Sequence, residues 1–467
     1  MSANERFDLI VIGSGPGGYV AAIRAAQLGL KTAVIEKYKL PGGTCLHWGC
    51  IPTKALLHSA EVLESARTAG GYGVKIAGAE LDLPGVHKHR KKTVITNAKG
   101  VAFLFKKNGI QLIQGTGTLA GSGAVQVTPA EGDPFTVKAG KIILATGSVV
   151  REMPGMEFDG KSIISSDHAL ELDRIPETML VLGAGAVGVE FASIYATFGS
   201  KVTLVELLPN LVPLEDPDLG QELEKAFKKR KIDIHTGTRV QSVEKVDGGV
   251  KVQAEKDGET VEMTAEVMLV AVGRLPVTSN LGLEGTGVVM DGPFIQVDSM
   301  MQTGEPGVYA IGDIVKTQAL AHVASHEGVI AAEHAAGGSP HPINYDKIPS
   351  CTYSSPEIAS VGLSEQEAKD RGYDVAVGSF PFTANGKAKI IGDPRGFVKI
   401  VSDRKYDEVL GVHIIGPHAT ELISEAIVAV NLEATTESLF HAVHAHPTLA
   451  EAMHEAALGV HGRSIHI

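Results

Sequence analysis

The feature that most constrains this chain is one unit of sequence that occurs twice at a fixed offset. Asp8-Leu-Ile-Val-Ile12 reads as a buried parallel strand, and Gly13-Ser-Gly-Pro-Gly-Gly18 follows it. A helical stretch from Tyr19 to Leu28 ends at Gly29, and Lys31 to Glu36 reads as a second strand. The same parts return as Met179-Leu-Val-Leu182, Gly183-Ala-Gly-Ala-Val-Gly188, Val189 to Phe198, Gly199, and Lys201 to Glu206. All four markers shift by 170 residues: 13 to 183, 15 to 185, 18 to 188, 36 to 206. Each residue has its own physical reason. The first glycine permits a tight turn, the second lets a pyrophosphate approach the backbone, and the third lets helix and strand pack closely. The helix N-terminus offers the positive end of its dipole, and the terminal acid accepts bonds from ribose hydroxyls. A lone glycine fingerprint is weak, but matching strand, helix and acid twice is not a coincidence of turns. The chain is read as binding two dinucleotides.

A length of 467 residues allows about three domains at about 150 residues each. Lys plus Arg number 42 against 54 Asp plus Glu, a net charge of −12, which argues against nucleic-acid and anionic-membrane partners. The start is polar, and no run approaches the roughly 18 apolar residues of a spanning helix. Three cysteines cannot form a disulfide scaffold, so a cytoplasmic, reducing setting is expected.

A third apolar strand ending at glycine closes each unit, at Lys141–Gly147 and at Val267–Gly273. Between Gly73 and Lys141 the pattern predicts a helical segment and a hairpin around Gly121-Ser122-Gly123. The basic run His87–Lys92 reads as a solvated helix face. Val308-Tyr-Ala-Ile-Gly-Asp313 is another strand ending in Gly-Asp. From Lys347 onward the pattern changes to strands (Phe397–Val401, Val409–Ile415) and helices (Thr420–Asn431, Leu449–Leu458), with a linker at Gly337–Pro342. The fold class is α/β, with two Rossmann-like dinucleotide-binding domains and a C-terminal αβ domain. The expected division is 1–150, 151–276, a central 277–346 and 347–467.

Gly42-Gly-Thr-Cys45-Leu-His-Trp-Gly-Cys50-Ile-Pro-Thr-Lys54 holds two of the three cysteines. In an ideal helix that spacing puts the Cα atoms about 8.6 Å apart, and a disulfide needs less than about 7 Å. A bridge therefore requires a distorted first turn, which Gly49 and Pro52 would permit. Buried inert thiols, a zinc site using His47, and a redox-active dithiol beside a flavin all compete here. Zinc lacks ligands, since no second Cys/His cluster stands at ligand spacing. Glycines and an adjacent dinucleotide site favour the dithiol. Cys351 has no partner in sequence and reads as a packed thiol. His446 precedes Pro447, a favoured first helical residue, and Glu451 on that helix could orient its imidazole as a base for thiols.

The run from Gly42 to Lys54, both fingerprints, Gly312-Asp313 and His446-Pro-Thr-Leu-Ala-Glu451 together resemble the pyridine nucleotide–disulfide oxidoreductase family over essentially the whole chain. His47 and Trp48 depart from the Asn and small aliphatic residue usual there. The resemblance implies FAD at the first fingerprint, NAD at the second, and a homodimer built through the C-terminal domain. It also implies catalytic roles for Cys45, Cys50, Lys54, Glu190, His446 and Glu451. Cys45 would meet the substrate thiol and Cys50 the flavin. Lys54 and Glu190 would pair beside the flavin N5, and His446 would serve the disulfide of the other subunit. FAD contacts would come from Gly13, Gly15, Pro16, Gly18, Glu36, Lys37, Gly43, Thr44, Lys54, Gly117, Ala145, Thr146, Gly147, Gly312, Asp313 and Ala321. NAD contacts would come from Gly183, Gly185, Val187, Gly188, Glu206, Val240 and Gly273, and no metal is implied. The implied substrate is dihydrolipoamide carried on lipoyl domains around the E2 core of 2-oxo acid dehydrogenase complexes. Glutathione reductases would carry Val-Pro-Lys where this chain has Ile51-Pro-Thr53, and arginines after the second fingerprint. Mercuric reductases would carry a C-terminal cysteine pair, and no cysteine follows Cys351.

Overall fold

A computed structural model describes residues 6–121 and 123–467; Ser122, in the expected hairpin turn, lies outside the described residues. The chain divides into two compact units, each assembled from segments far apart in sequence. The first comprises Met1–Ala55, Pro84–Arg151 and Gly273–Tyr345, and the second Leu56–Leu83, Glu152–Val272 and Asp346–Ile467.

The first unit is organised by a parallel sheet in the order Gln111–Gln114, Thr32–Glu36, Arg6–Ile12, Phe135–Leu144, Val308–Ala310. The strands are apolar at consecutive positions because both faces are covered. Ile10, Ile12, Ile35, Ile142 and Leu144 pack on one face, with Val125 and Val127 of an antiparallel ribbon. Leu9, Val11, Val34 and Ile143 pack on the other, against Ala21, Ala25, Phe105 and Ile330 of covering helices. That ribbon, Thr116–Leu119 with Ala124–Thr128, is the hairpin read from the sequence. On the Leu83–Lys107 helix, Lys88, His89, Lys91 and Lys92 are exposed, but Arg90 is buried, so the basic run is not solvated throughout. The register pairs Ile12 with both Ile35 and Leu144, and Leu144 with Ala310. The carboxyl ends of these parallel strands therefore share one edge, and the segments after Ile12, Leu144 and Ala310 all start there. Ligands of open parallel sheets bind at such an edge.

The second unit contains a five-stranded parallel sheet in the order Asp233–His235, Lys201–Val205, Thr178–Leu182, Val267–Val270, Ile163–Ile164. It also contains an antiparallel meander, Thr238–Val246, Gly249–Lys256 and Glu259–Ala265. Its C-terminal part is a five-stranded antiparallel sheet packed by the helices Ala419–Asn431 and Glu451–Val460. Phe397–Asp403 and Val409–Gly416 lie at its middle. The short strands Ser350–Thr352, Glu357–Gly362 and Val375–Pro381 complete it, and sequence pattern alone did not separate them from loops. The last helix begins at Glu451, so Pro447 precedes it by four residues instead of opening it. No described helix is long and apolar enough to cross a membrane.

One ionic cluster is buried in this unit. Lys399 Nζ lies 3.0 Å from Asp216 Oδ2, 2.7 Å from Asp218 Oδ2 and 3.0 Å from Glu365 Oε2. Burial alone would raise the Asp216 carboxyl, but His413 and Lys399 together hold it below the usual carboxylate range. Removing the cation strands a buried carboxylate, so Lys399→Met is expected to cost about 3–5 kcal/mol of unfolding free energy at neutral pH. A carboxyl depressed by folding stabilises above its ordinary range and ceases to do so as pH falls through its folded value. The deficit of Lys399→Met should therefore shrink on acidification, which urea unfolding at several pH values would measure.

Candidate active site

The first fingerprint forms the turn between the Arg6–Ile12 strand and the Pro16–Gln27 helix. Gly13 has φ +102°, and a Cβ there would lie 2.2 Å from the Ala145 carbonyl oxygen. A Cβ at Gly18 would lie 2.1 Å from the Gly13 carbonyl oxygen. These two glycines are required by the protein itself. Gly15 is different: its backbone is extended, as any residue allows, and a Cβ would meet nothing nearer than Gly43 Cα at 4.0 Å. The second turn repeats the contrast. A Cβ at Gly183 would lie 2.5 Å from Ala271 O and one at Gly188 1.8 Å from Gly183 O, while one at Gly185 would meet nothing within 4 Å. At both helix N-termini the middle glycine leaves open space that internal packing does not require. This is the space a pyrophosphate would fill, so both turns fit a dinucleotide.

The terminal acids are built into the turns. Glu36 Oε2 accepts from Ser14 N and Ser14 Oγ, and Oε1 from Tyr38 N. Glu206 Oε2 accepts from Ala184 N at 2.6 Å and Oε1 from Leu208 N at 2.9 Å. Ala184 has no hydroxyl, so each Glu206 oxygen takes one of these bonds where Glu36 Oε2 takes two. A carboxylate offers about four acceptor positions, and ribose hydroxyls fit those remaining. A 2′-phosphate would be repelled by the same charge. NAD should be preferred to NADP by a wide margin in kcat/KM, and equal values for the two coenzymes would refute this assignment.

At the shared strand edge of the first unit, Gly312 N donates to Glu327 Oε2 at 2.6 Å, and the fully buried Glu327 also accepts from Thr317 Oγ1 and Tyr345 Oη. Ser148 Oγ donates to Asp313 Oδ2. Arg274 Nε donates to Ser148 Oγ and its Nη2 to Ser148 O, both at 2.7 Å. Ser148, Arg274 and Glu327 carry no local motif, and only the tertiary fold brings them here. The other residues named for FAD lie in the same unit. Pro16 opens its helix and Gly43 approaches Gly15. Lys37 Nζ sits over the Tyr38 ring, and Thr44 O accepts from Trp48 N. Gly117 lies against Ile12, Thr146 Oγ1 bonds Val277 O, Gly147 O accepts from Val277 N, and Ala321 begins a helix. Of those named for NAD, Val187 lies exposed on the first turn of its helix, and Val240 sits at a register shift in its strand. Gly273 belongs to the first unit, where its carbonyl accepts from Arg151 N.

The two cysteines do not share a continuous helix. Gly43–His47 forms one short helix, Cys50–Thr68 another, and the chain breaks between them at Trp48 and Gly49. A Cβ at Gly49 would lie 3.2 Å from Cys45 Cα, so this glycine allows the turn to fold back over Cys45. Trp48 packs at 4.6 Å from the Tyr38 ring, and His47 Nε2 meets Pro41 O at 3.1 Å. The break removes the helical spacing that would have kept the sulfurs apart. Cys45 and Cys50 are reduced thiols, hydrogen-bonded to each other. That bond, then burial, pushes the Cys45 thiol well above the usual cysteine range, while Lys54 opposes the shift.

In the second unit, Glu190 is buried on the Ala186–Phe198 helix and accepts from Tyr353 N at 2.9 Å. His446 Nδ1 lies 2.8 Å from Glu451 Oε1, and Glu451 Oε2 accepts from Thr448 N at 2.9 Å. Burial opposes ionisation of Glu451, but the Thr448 amide and His446 hold its carboxyl below the usual range. With Nδ1–H committed to a carboxylate, Nε2 is the nitrogen left to take a proton. The His446 side chain is 78% exposed in the single chain.

Two nucleotide cradles, paired thiols and a carboxylate-held imidazole define a flavin-dependent thiol–disulfide oxidoreductase. Residues 7–328 match the pyridine nucleotide-disulphide oxidoreductase family and residues 348–457 its dimerisation domain. The chain belongs to that family. Over 470 residues it is 48% identical to dihydrolipoyl dehydrogenase of Bacillus subtilis, covering 98% of this chain and 99% of that protein. It is 43% identical to mitochondrial dihydrolipoyl dehydrogenase 2 of Arabidopsis thaliana, covering 100% and 92%. The crystal structure of LpdA from Mycobacterium tuberculosis superposes with a TM-score of 0.89 at 31% identity, covering 97% of this chain and 99% of that one.

Proposed function

We infer that the chain is an FAD-dependent dihydrolipoyl dehydrogenase that oxidises dihydrolipoamide and reduces NAD. The observation that carries this reading is the Cys45–Cys50 thiol pair, brought together by a break in the helix beside a dinucleotide turn. Gly13, Gly15, Gly18, Glu36 and Asp313 would hold FAD. Gly183, Gly185, Gly188 and Glu206 would hold NAD. FAD, when bound, would supply the two-electron redox chemistry that links the dithiol to NAD.

The chain's own residues supply the thiol chemistry. His446 Nε2 takes the proton of one substrate thiol, and Glu451 holds Nδ1–H and stabilises the imidazolium. The substrate thiolate attacks Cys45 Sγ, the Cys45–Cys50 bond breaks, and Cys50 leaves as thiolate. The second substrate sulfur then attacks the first, closing the lipoamide disulfide and releasing Cys45, which keeps the second proton. Two electrons and two protons have left the substrate, with one proton on His446 and one on Cys45. The high affinity of Cys45 for a proton suits this division. Lys54 and Glu190 serve the flavin–nicotinamide side.

Four segments divide the roles: 1–150 for FAD, 151–276 for NAD, 277–346 completing the FAD site, and 347–467 for dimerisation. The active form is a homodimer in the cytoplasm, with His446 of one subunit serving the disulfide of the other. Its physiological substrate is the lipoyl domain around the E2 core of a 2-oxo acid dehydrogenase complex. NADH formation from dihydrolipoamide and NAD by the purified holoprotein tests the reading, and no formation above background would overturn it.

A further inference from the structure

Asp313 stands at the strand edge where FAD would bind, yet nothing in its own segment fixes its carboxylate. What fixes it comes from two other stretches of the first unit. Ser148–Val150 pairs antiparallel with Arg274–Pro276, Ser148 opposite Pro276 and Val150 opposite Arg274. This two-stranded ribbon is where the chain leaves the first unit, after Arg151, and re-enters it, at Gly273. Arg151 N donates to Gly273 O at 3.1 Å and closes its open end.

The hydrogen bonds on the ribbon have a forced direction. Arg274 has only donors, and its Nε fills an acceptor position on Ser148 Oγ while Nη2 bonds the Ser148 carbonyl oxygen. The hydroxyl proton of Ser148 is therefore directed to Asp313 Oδ2. Ser148 is 6% exposed, so water does not readily replace either partner. From the opposite side, buried Glu327 fixes the Gly312 amide.

We propose that Arg274 and Ser148 are positioning residues for FAD: they set the Asp313 carboxylate through a one-way relay, and so tie the ribbon joining the two units to flavin occupancy. The proposal rests on reading Asp313 as a flavin contact. An Arg at 274 is needed because a planar fork reaches Oγ and the carbonyl of one serine together, which a single ammonium does not do. FAD bound against Asp313 then draws on the relay, and the ribbon stiffens with the cofactor in place.

The test uses apoprotein reconstituted with FAD, with binding followed by quenching of flavin fluorescence. Arg274→Met and Ser148→Ala should each raise the FAD dissociation constant roughly tenfold to a hundredfold, the range for losing a hydrogen bond to a charged group. Arg274→Lys should fall between Arg274→Met and the parent. Ser148→Ala removes one oxygen atom and guards against a variant that fails to fold. In an Asp313→Asn background, adding Ser148→Ala should change FAD binding little, because the relay acts through Asp313; fully additive losses would overturn the proposal. Hydrogen exchange supplies a second readout. FAD should slow exchange at the amides of 148–150 and 274–275 in the parent but not in Arg274→Met at saturating FAD. Parent-like affinity in Arg274→Met and Ser148→Ala, with weak binding in Asp313→Asn, would also overturn the relay. Parent-like affinity in Asp313→Asn itself would instead refute the flavin role of Asp313.

Discussion

Cys45→Ser should abolish dihydrolipoamide oxidation, a fall on the order of 10⁶ by comparison with removing a nucleophile from another catalytic unit. NADH oxidation with an artificial electron acceptor should survive, because that half-reaction does not pass through the dithiol. A spectrum separates the two sulfurs. On two-electron reduction the parent holoprotein should show a long-wavelength charge-transfer band, with the Cys50 thiolate as donor and oxidised flavin as acceptor. Cys50→Ser should lose that band, and Cys45→Ser should show it without any substrate. Its bond to Cys50 and then burial raise the Cys45 thiol above the usual cysteine range. Reversed outcomes for the two serine variants would exchange the roles of the sulfurs.

His446→Ala should lower dihydrolipoamide turnover by about 10² to 10⁴, the usual scale of general base catalysis. NADH oxidation by the artificial acceptor should again be nearly unchanged. Glu451→Gln should give a smaller loss, since a neutral amide can still accept from Nδ1–H but stabilises the imidazolium less. His446 belongs to the second unit and the cysteines to the first, and the decisive measurement asks which chain's histidine serves which disulfide. Mixing Cys45→Ser with His446→Ala protomers under conditions of subunit exchange should restore activity. One site of the mixed dimer would pair an intact Cys45 with an intact His446 from the other chain. Demonstrated exchange without recovered activity would place the base within its own chain, or elsewhere.

The fold class and the family were legible because their signals are local. Gly13, Gly18, Gly183 and Gly188 are forced by backbone oxygens 1.8–2.5 Å from where a Cβ would stand, so spacing alone reveals the turns. The pairing of Cys45 with Cys50 was legible only as a need for distortion. The structure meets it with a full break at Trp48–Gly49, beyond a loosened first turn. The Pro447 reading failed because a proline marks a helix start only when the chain after it is helical, and here the helix waits until Glu451. Ser148, Arg274 and Glu327 were not legible at all. Each is an ordinary polar residue in its own neighbourhood, and its partner lies far along the chain: 165 residues separate Ser148 from Asp313, and 126 separate Arg274 from Ser148.

The placement of Val308–Ala310 beside Phe135–Leu144 sets an order on the birth of the protein. A ribosome has to translate the whole of Glu152–Val272 before it makes this strand and the Gly312-Asp313 that follows it. The nascent amino-terminal sheet pairs Ala124–Val127 with Phe135–Lys138 but waits with the Ile142–Leu144 end of that same edge unclaimed, while the middle of the chain emerges with its own parallel sheet. Closing a loop of that length costs search time more than stability. Fragments truncated before Val308 should be colourless and aggregation-prone through that bare edge, and the yellow of bound flavin should mark the moment at which synthesis has passed the final sheet strand of the first unit.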